Sequence, residues 1–385
     1  MTRKLKMGMI GGGKNAFIGA IHRIAANMDG LVELHCGAFS SNPKISKESG
    51  KELFLSDAKC YNSFEEMIVT ESKLPIAERM DFVTIVTPNF AHFKPAMMAL
   101  DHSFHVLIDK PMTLSLDEAK QLQQKVKDTG LILCLTHTYS GYPMVKQARK
   151  MVADNDLGKI RKVIVEYNQG WLSSSSEKEG NKQAIWRTDP SKSGISGCMG
   201  DIGTHAAQLA EYTSGLKITQ LCADINNVVE GRQLDDDGNV LLKFDNGANG
   251  ILVATQIAAG EENGLKIKIY GEKGGLEWDQ MEPNSLIIKW LDAPMQVYRT
   301  GNSYLSNFAM ENTRTPSGHP EGYLEAFANL YRNFALTLSS LSEGKEPTAT
   351  MLDFPSVDDG VRGMAFIENV IASGKSDQKW FDFKI

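Results

Sequence analysis

The sequence predicts an α/β chain in two parts: a doubly wound parallel sheet, then an α+β region with an open, mostly antiparallel sheet. Three observations predict it. In the first third, short apolar runs alternate with longer segments of helical spacing. A glycine-rich turn, Gly11-Gly12-Gly13, directly follows the first apolar run. Beyond about residue 160 the apolar runs succeed one another through turns, and several alternate apolar with polar residues.

The first-part strands are expected at Leu5 to Ile10, Leu31 to Phe39, Phe82 to Val86, Phe104 to Ile108 and Leu131 to Leu135. They are nearly continuously apolar, as strands buried on both faces of a parallel sheet must be. Helical spacing marks Gly19 to Met28, Phe64 to Val69, Phe93 to Leu100 and Leu116 to Thr129. In the last of these Leu116, Ala119, Leu122 and Val126 form one stripe, and Ser115 is placed to cap its start. In the second part strands are expected at Lys162 to Tyr167, Val240 to Phe244, Gly250 to Gln256, Leu265 to Tyr270, Gly275 to Trp278 and Leu286 to Trp290. Asp245-Asn246-Gly247 is a hairpin turn signal. Helices are expected at about 205–213 and 322–341. Ser173 to Ser176 and Asp235-Asp236-Asp237-Gly238 read as solvated loops.

Composition narrows the class of protein. At 385 residues the chain exceeds what one average core supports, so two domains are expected. Hydrophobic residues at 42% and charged residues at 23% exclude a disordered or fibrous chain. Lys plus Arg number 41 and Asp plus Glu 47, a net charge of −6 that argues against a nucleic-acid binder. No apolar run approaches the roughly 20 residues of a membrane helix. The basic start, Met1 to Met7, meets the glycine turn with no hydrophobic signal region between them. The five cysteines are scattered and include no Cys-x-x-Cys, so neither a disulfide framework nor a thiolate metal site is indicated. A cytoplasmic enzyme without nucleic-acid or membrane partners is the expectation.

The glycine turn opens the first helix, which is where a dinucleotide pyrophosphate binds. Gly11 permits the tight turn, Gly13 lets a phosphate approach the backbone, and Ala16, Phe17 and Ile18 bring amides toward the anion. Five residues separate Gly13 from Gly19, where the dinucleotide fingerprint has two. Either Ala16 takes the third glycine position, or the loop is longer and Gly19 is the packing glycine. After the second strand the chain reads Ser40-Ser41-Asn42-Pro43-Lys44, with no carboxylate for a ribose hydroxyl. Ser40 and Ser41 can donate to a 2′-phosphate or to a free hydroxyl, so NAD and NADP both remain open. Thr87-Pro88-Asn89, followed by His92, ends the strand at 82–86 on the ligand-binding edge.

Asp109-Lys110-Pro111 follows the next strand, and a lysine there can serve as proton donor or acceptor. Gly200-Asp201-Ile202-Gly203-Thr204-His205 places a carboxylate and an imidazole four residues apart, on one side of a helix start. Lys110, Asp201 and His205 form a set suited to alcohol–ketone interconversion. His137, Tyr139 and Tyr142, and Trp186 with Arg187, are further candidates for substrate contact, with Trp171 and His319 near the same cleft.

These motifs, in this order, resemble the glucose–fructose oxidoreductase/inositol dehydrogenase/MocA family over essentially the whole chain. The family's usual Glu-Lys-Pro is here Asp109-Lys110-Pro111, which keeps the carboxylate. The resemblance implies a dinucleotide-binding Rossmann domain over 1–136. It implies a substrate-binding and oligomerisation domain over 137–385, with the C-terminal segment packing back on the first. Gly11, Gly13, Ala16, Phe17, Ile18, Ser40, Ser41, Thr87, Pro88, Asn89, His92, Asp109 and Lys110 then border NAD or NADP. Lys110 bonds the reacting oxygen, His205 is acid or base on that hydroxyl, and Asp201 positions substrate. The implied reaction interconverts a secondary hydroxyl and a ketone on a sugar, inositol or glycoside. Two alternatives remain: a cofactor-retaining glycoside hydrolase with transient oxidation, and a nucleotide-sensing regulator without catalysis. A homodimer or homotetramer is expected.

Overall fold

The computed structural model describes residues 3–14 and 16–385. The chain forms two compact units, Met1–Thr138 with Tyr323–Val361, and Tyr139–Gly322 with Arg362–Ile385.

The first unit holds five strands: β1 (Leu5–Gly11), β2 (Val32–Ala38), β3 (Phe82–Val86), β4 (His105–Ile108) and β5 (Leu133–Leu135). They pair in the order β2-β1-β3-β4-β5, and every pair is parallel. The expected helices are present as Phe17–Met28, Phe64–Ser72, Phe93–Asp101 and Leu116–Thr129. Ser115 caps the last by accepting from the Glu118 amide at 3.2 Å. The sheet core joins Met7, Met9 and Phe82 to Phe327, Tyr331 and Phe334 of the helix Tyr323–Ser342. Each such large apolar side chain contributes about 1.5–3 kcal/mol on burial, which explains why this late helix belongs with the first unit.

The second unit holds β6 (Lys162–Asn168), β7 (Ile218–Asn226), β8 (Asp237–Phe244), β9 (Asn249–Thr255), β10 (Gly264–Tyr270), β11 (Gly274–Asp279), β12 (Ser285–Trp290), β13 (Gln296–Arg299) and β14 (Phe381–Asp382). Their order is β13-β12-β11-β10-β6-β9-β8-β7-β14. All neighbours are antiparallel except β6 and β9. The hairpin signal at 245–247 joins β8 to β9, with Gly247 at φ +88°.

Several elements escaped the sequence reading. Strand β7 lacks clean alternation, and β13 and β14 are short edge strands. The helix Pro43–Glu52 is almost wholly polar, yet Asn42 caps it by accepting from the Lys44 amide at 3.0 Å. The helices Pro143–Ala153 and Val357–Gly374 were also missed.

The acidic turn is not a solvated loop. Asp235 and Asp236 are buried. Asp235 accepts from the amides of Gly197 at 2.8 Å and Met199 at 2.7 Å. Asp236 accepts from the amides of Val228 and Val229 and pairs with Arg232. These carboxylates satisfy loop amides that would otherwise be buried without acceptors.

Candidate functional site

In a parallel sheet all strands end at one edge, so the residues following β1, β3, β4 and β5 share that edge. Direct bonds show it: the Asp109 amide donates to Ile85, and the Thr136 amide to Ile108, each at 3.0 Å. The glycine turn, Thr87, Asp109-Lys110 and His137 therefore line one border of the first unit.

The turn's glycines have separate jobs. Gly11 and Gly12 take φ of +81° and +69°, which side chains rarely adopt. A Cβ on Gly19 would stand 2.3 Å from the Gly12 Cα, so Gly19 is the packing glycine and the loop is the longer one. A Cβ on Gly13 would meet the Phe39 carbonyl and the Ser49 Oγ, each at 2.7 Å. The amides of Gly13 and Lys14 bond those same two groups, which ties the turn to the segment after β2. Lys14 also pairs with Glu52 at 2.7 Å. Ala16 begins the helix Phe17–Met28 and offers no side-chain cap. Among the described residues no side chain accepts from the first amides of this helix, an arrangement that fits a pyrophosphate. Phe17 is solvent-exposed and Ile18 half-buried. Asn15, in the middle of the turn, lies outside the described residues.

After β2 the Ser40 hydroxyl accepts from the Asn42 amide at 3.1 Å, and Ser41 is exposed. The Thr87 hydroxyl donates to Ala91 at 3.0 Å, and Asn89 is buried after Pro88. His92 is buried, with Nδ1 2.9 Å from the Pro111 carbonyl and Nε2 2.7 Å from the Thr87 carbonyl. It stands between two motifs of the edge, and as a neutral ring it donates to one of the two carbonyls. Burial lowers its pKa despite the nearby Asp109 carboxylate. The Asp109 carboxylate accepts from the Lys110 amide at 2.9 Å and from Thr136 at 2.8 Å. The following Lys110–Pro111 peptide is cis. Burial, and then the Lys110 cation, hold the His137 imidazole down at about 3. His137 therefore stays neutral.

In the second unit, residues Met199–Gly203 form one wide turn that runs into the helix Thr204–Ser214. Asp201 lies in the turn and His205 in the helix's first turn. Asp201 Oδ2 accepts from Gln256 Nε2 at 2.9 Å and from Arg187 Nε at 3.2 Å. The Arg187 guanidinium lies 4.2 Å from the Trp186 ring centre and 5.8 Å from that of Trp171. The His205 ring meets Tyr139 edge-on, with centroids 4.9 Å apart. Tyr139 and Tyr167 share a hydroxyl–hydroxyl bond, and Tyr167 donates to Asn263 at 2.7 Å. Burial raises the Tyr139 pKa, so its phenol keeps its proton. Tyr142 is buried and receives a bond from Gln280 at 3.4 Å.

The structure thus brings Arg187 to Asp201, and Tyr139 to His205. Trp186 reaches them through Arg187. His319 sits in an exposed turn, with Nδ1 3.3 Å from the Pro316 carbonyl. Gln169, Gln256 and Asn263 were not anticipated. The available signal was their position at strand ends, the same criterion that selects Thr87 and Lys110.

The family model for oxidoreductases with an NAD-binding Rossmann fold matches residues 5–137. The model for the GFO/IDH/MocA C-terminal domain matches residues 145–277. An uncharacterized oxidoreductase of Bacillus subtilis, YfiI, is 30% identical, covering 100% of this chain and 98% of the relative. Levoglucosan dehydrogenase of Pseudarthrobacter phenanthrenivorans is 24% identical, covering 99% of this chain and 98% of the relative. The crystal structure of an inositol dehydrogenase homolog from Azotobacter vinelandii with NAD+ superposes with a TM-score of 0.94 at 32% identity, covering 100% of this chain and 98% of that one. That homolog's structure with NADH and myo-inositol gives a TM-score of 0.91 at 31% identity, again covering 100% and 98%. No helix among the described residues is long and apolar enough to cross a membrane.

Proposed function

The chain belongs to the GFO/IDH/MocA oxidoreductases, NAD-binding enzymes, and from that premise we propose that it interconverts a secondary hydroxyl and a ketone on a sugar, inositol or glycoside. The observation that carries this reading is the wall around Asp201. A carboxylate, an arginine, several amides and two phenols meet beside an imidazole. Such a wall offers directed partners to a ligand with many hydroxyls. Arg187 is already paired with Asp201, which suits a neutral polyol better than a phosphorylated one. The named ligands of the relatives, myo-inositol and levoglucosan, are of this class.

In this reading Asp201 accepts a hydrogen bond from a substrate hydroxyl and sets its orientation. Lys110 and His205 hold and move the proton of the reacting hydroxyl. His92 and Asp109 keep the backbone around Lys110 in place. Bound NAD supplies the hydride acceptor, and the protein supplies orientation and proton transfer.

The test is a screen of sugars, inositols and glycosides with NAD+ and with NADP+, following reduced nicotinamide absorbance and released aglycone together. Net reduction is expected. Lys110→Ala should lower turnover by about 100-fold or more with nucleotide binding intact. Undiminished turnover would remove Lys110 from the chemistry. Aglycone release without net reduction would make the enzyme a hydrolase.

A further inference from the structure

Three strand ends meet at one edge of the nine-stranded sheet. Asn168 ends β6 and pairs with Thr255, the end of its parallel neighbour β9. Asn168 also pairs with Gly264, the start of the antiparallel β10. The residues just beyond these positions are Gln169, Gln256 and Asn263. All three are amides, and each carries both a donor and an acceptor.

Their hydrogen bonds have a definite sense, set by Trp171. An indole N–H can only donate, and Trp171 Nε1 donates to Gln169 Oε1 at 3.0 Å. Gln169 must then present Nε2 to Asn263 Oδ1, at 2.7 Å. Asn263 in turn presents Nδ2 to the Tyr139 hydroxyl at 3.2 Å. Gln169 Oε1 also accepts from Gln256 Nε2 at 3.4 Å, and the second hydrogen of that nitrogen goes to Asp201 Oδ2 at 2.9 Å. The Gln256 side chain is buried, at 2% exposure, and cannot turn over without placing its carbonyl against two acceptors.

We propose that Gln256 is a positioning residue that orients the Asp201 carboxylate and couples it, through Gln169 and Asn263, to the tyrosine pair on which His205 rests. The motif arginine, Arg187, holds the same oxygen but is partly exposed. Gln256 is the buried partner. Its neutral N–H keeps Asp201 an acceptor toward substrate. This role rests on the proposed dehydrogenase reading.

The decisive variant is Gln256→Glu, which keeps the shape and turns the donor into a second carboxylate. Two carboxylates sharing one site hold a proton to higher pH. With NAD+ and myo-inositol, or the polyol turned over fastest in the screen, the acid limb of kcat/KM should rise by about one pH unit or more. KM for NAD+ should stay unchanged. Thermal unfolding gives a readout independent of activity. The Tm deficit of Gln256→Glu against the parent should be small at pH 4 and grow toward pH 8. Adding Asp201→Asn should abolish that growth. An unmoved acid limb with a pH-independent Tm deficit would overturn the proposal. If the parent enzyme turns over no polyol, the functional reading fails while the unfolding series still decides the coupling. If Gln256→Glu does not fold, Gln256→Met removes the donor to Asp201 while keeping the side chain's length. A kcat/KM loss of about tenfold with near-parental Tm supports the proposal, and unchanged kcat/KM overturns it.

Discussion

Three imidazoles of the first unit are held in their neutral form, His22 and His137 buried and His105 half-buried. Burial holds His22 and His105 down at about 4 and His137 at about 3, against an ordinary value of 6.5. His22 faces the Tyr331 hydroxyl at 2.7 Å, and His105 Nδ1 accepts from the Ile132 amide at 3.0 Å. Unfolding releases all three into water, where they bind protons near pH 6.5. The folded protein therefore binds fewer protons than the unfolded chain between about pH 4 and 6.5. Its stability is full above that window and falls as pH drops through it, by about 1.4 kcal/mol per pH unit for each imidazole. Urea midpoints measured from pH 8 to pH 4.5 should fall steeply below 6.5. A flat series would show that these rings bind protons in the fold as readily as in the unfolded chain. The sequence located His92, His137 and His205 as site candidates, but nothing in it separates a neutral buried ring from a titrating one. Burial is a property of the neighbours.

At the scale of the element, the glycine turn shows how far local pattern reaches. Its place after β1 and before a helix was legible from apolar spacing alone. Which residue stands in the third glycine position was not, because the answer lies in a contact across the turn. Gly19 lies backbone to backbone on Gly12. Gly19→Ala should cost about 1–3 kcal/mol in urea unfolding and weaken NAD binding, because the turn must move to admit the methyl group. Binding and stability at the parent level would place the packing role elsewhere. The acidic run at 235–237 shows the opposite limit. Charge alone suggested solvent, while the loop amides of Gly197, Met199, Val228 and Val229 required buried acceptors.

At the scale of the whole molecule, the register of the second sheet defines its outer face. Cross-strand pairing sets Val297 beside Ile287, Ile164 beside Ile251, and Ile251 beside Leu241. None of these five is fully buried, and Leu241 and Val297 are 45% and 48% exposed. Ile164, Ile251 and Leu241 form a short apolar row, set apart from Ile287 and Val297 by Lys268 and Glu277 on the same register, and such a patch favours self-association. Light scattering should give a mass two or four times that of one subunit. Leu241→Lys with Ile251→Lys should shift it toward the monomer, and a one-subunit mass for the parent protein would refute the assembly.

The sequence by itself determined the two-part fold class, the parallel edge that carries Gly11, Thr87 and Lys110, and the short motif that carries Asp201 and His205. These follow from periodicity and from short motifs, whose physics is local. Only the tertiary structure decided that Gly19 packs the turn, that the helix Tyr323–Ser342 joins the first unit's core, and that Gln256 holds Asp201. Asp201 and Gln256 stand 55 residues apart. The acidic run joins their segments, since the Gln256 amide donates to the Asp236 carbonyl at 2.9 Å and the Cys198 amide to the Asp235 carbonyl at 2.8 Å, and contacts between segments so far apart in the chain exist only once the whole chain has folded.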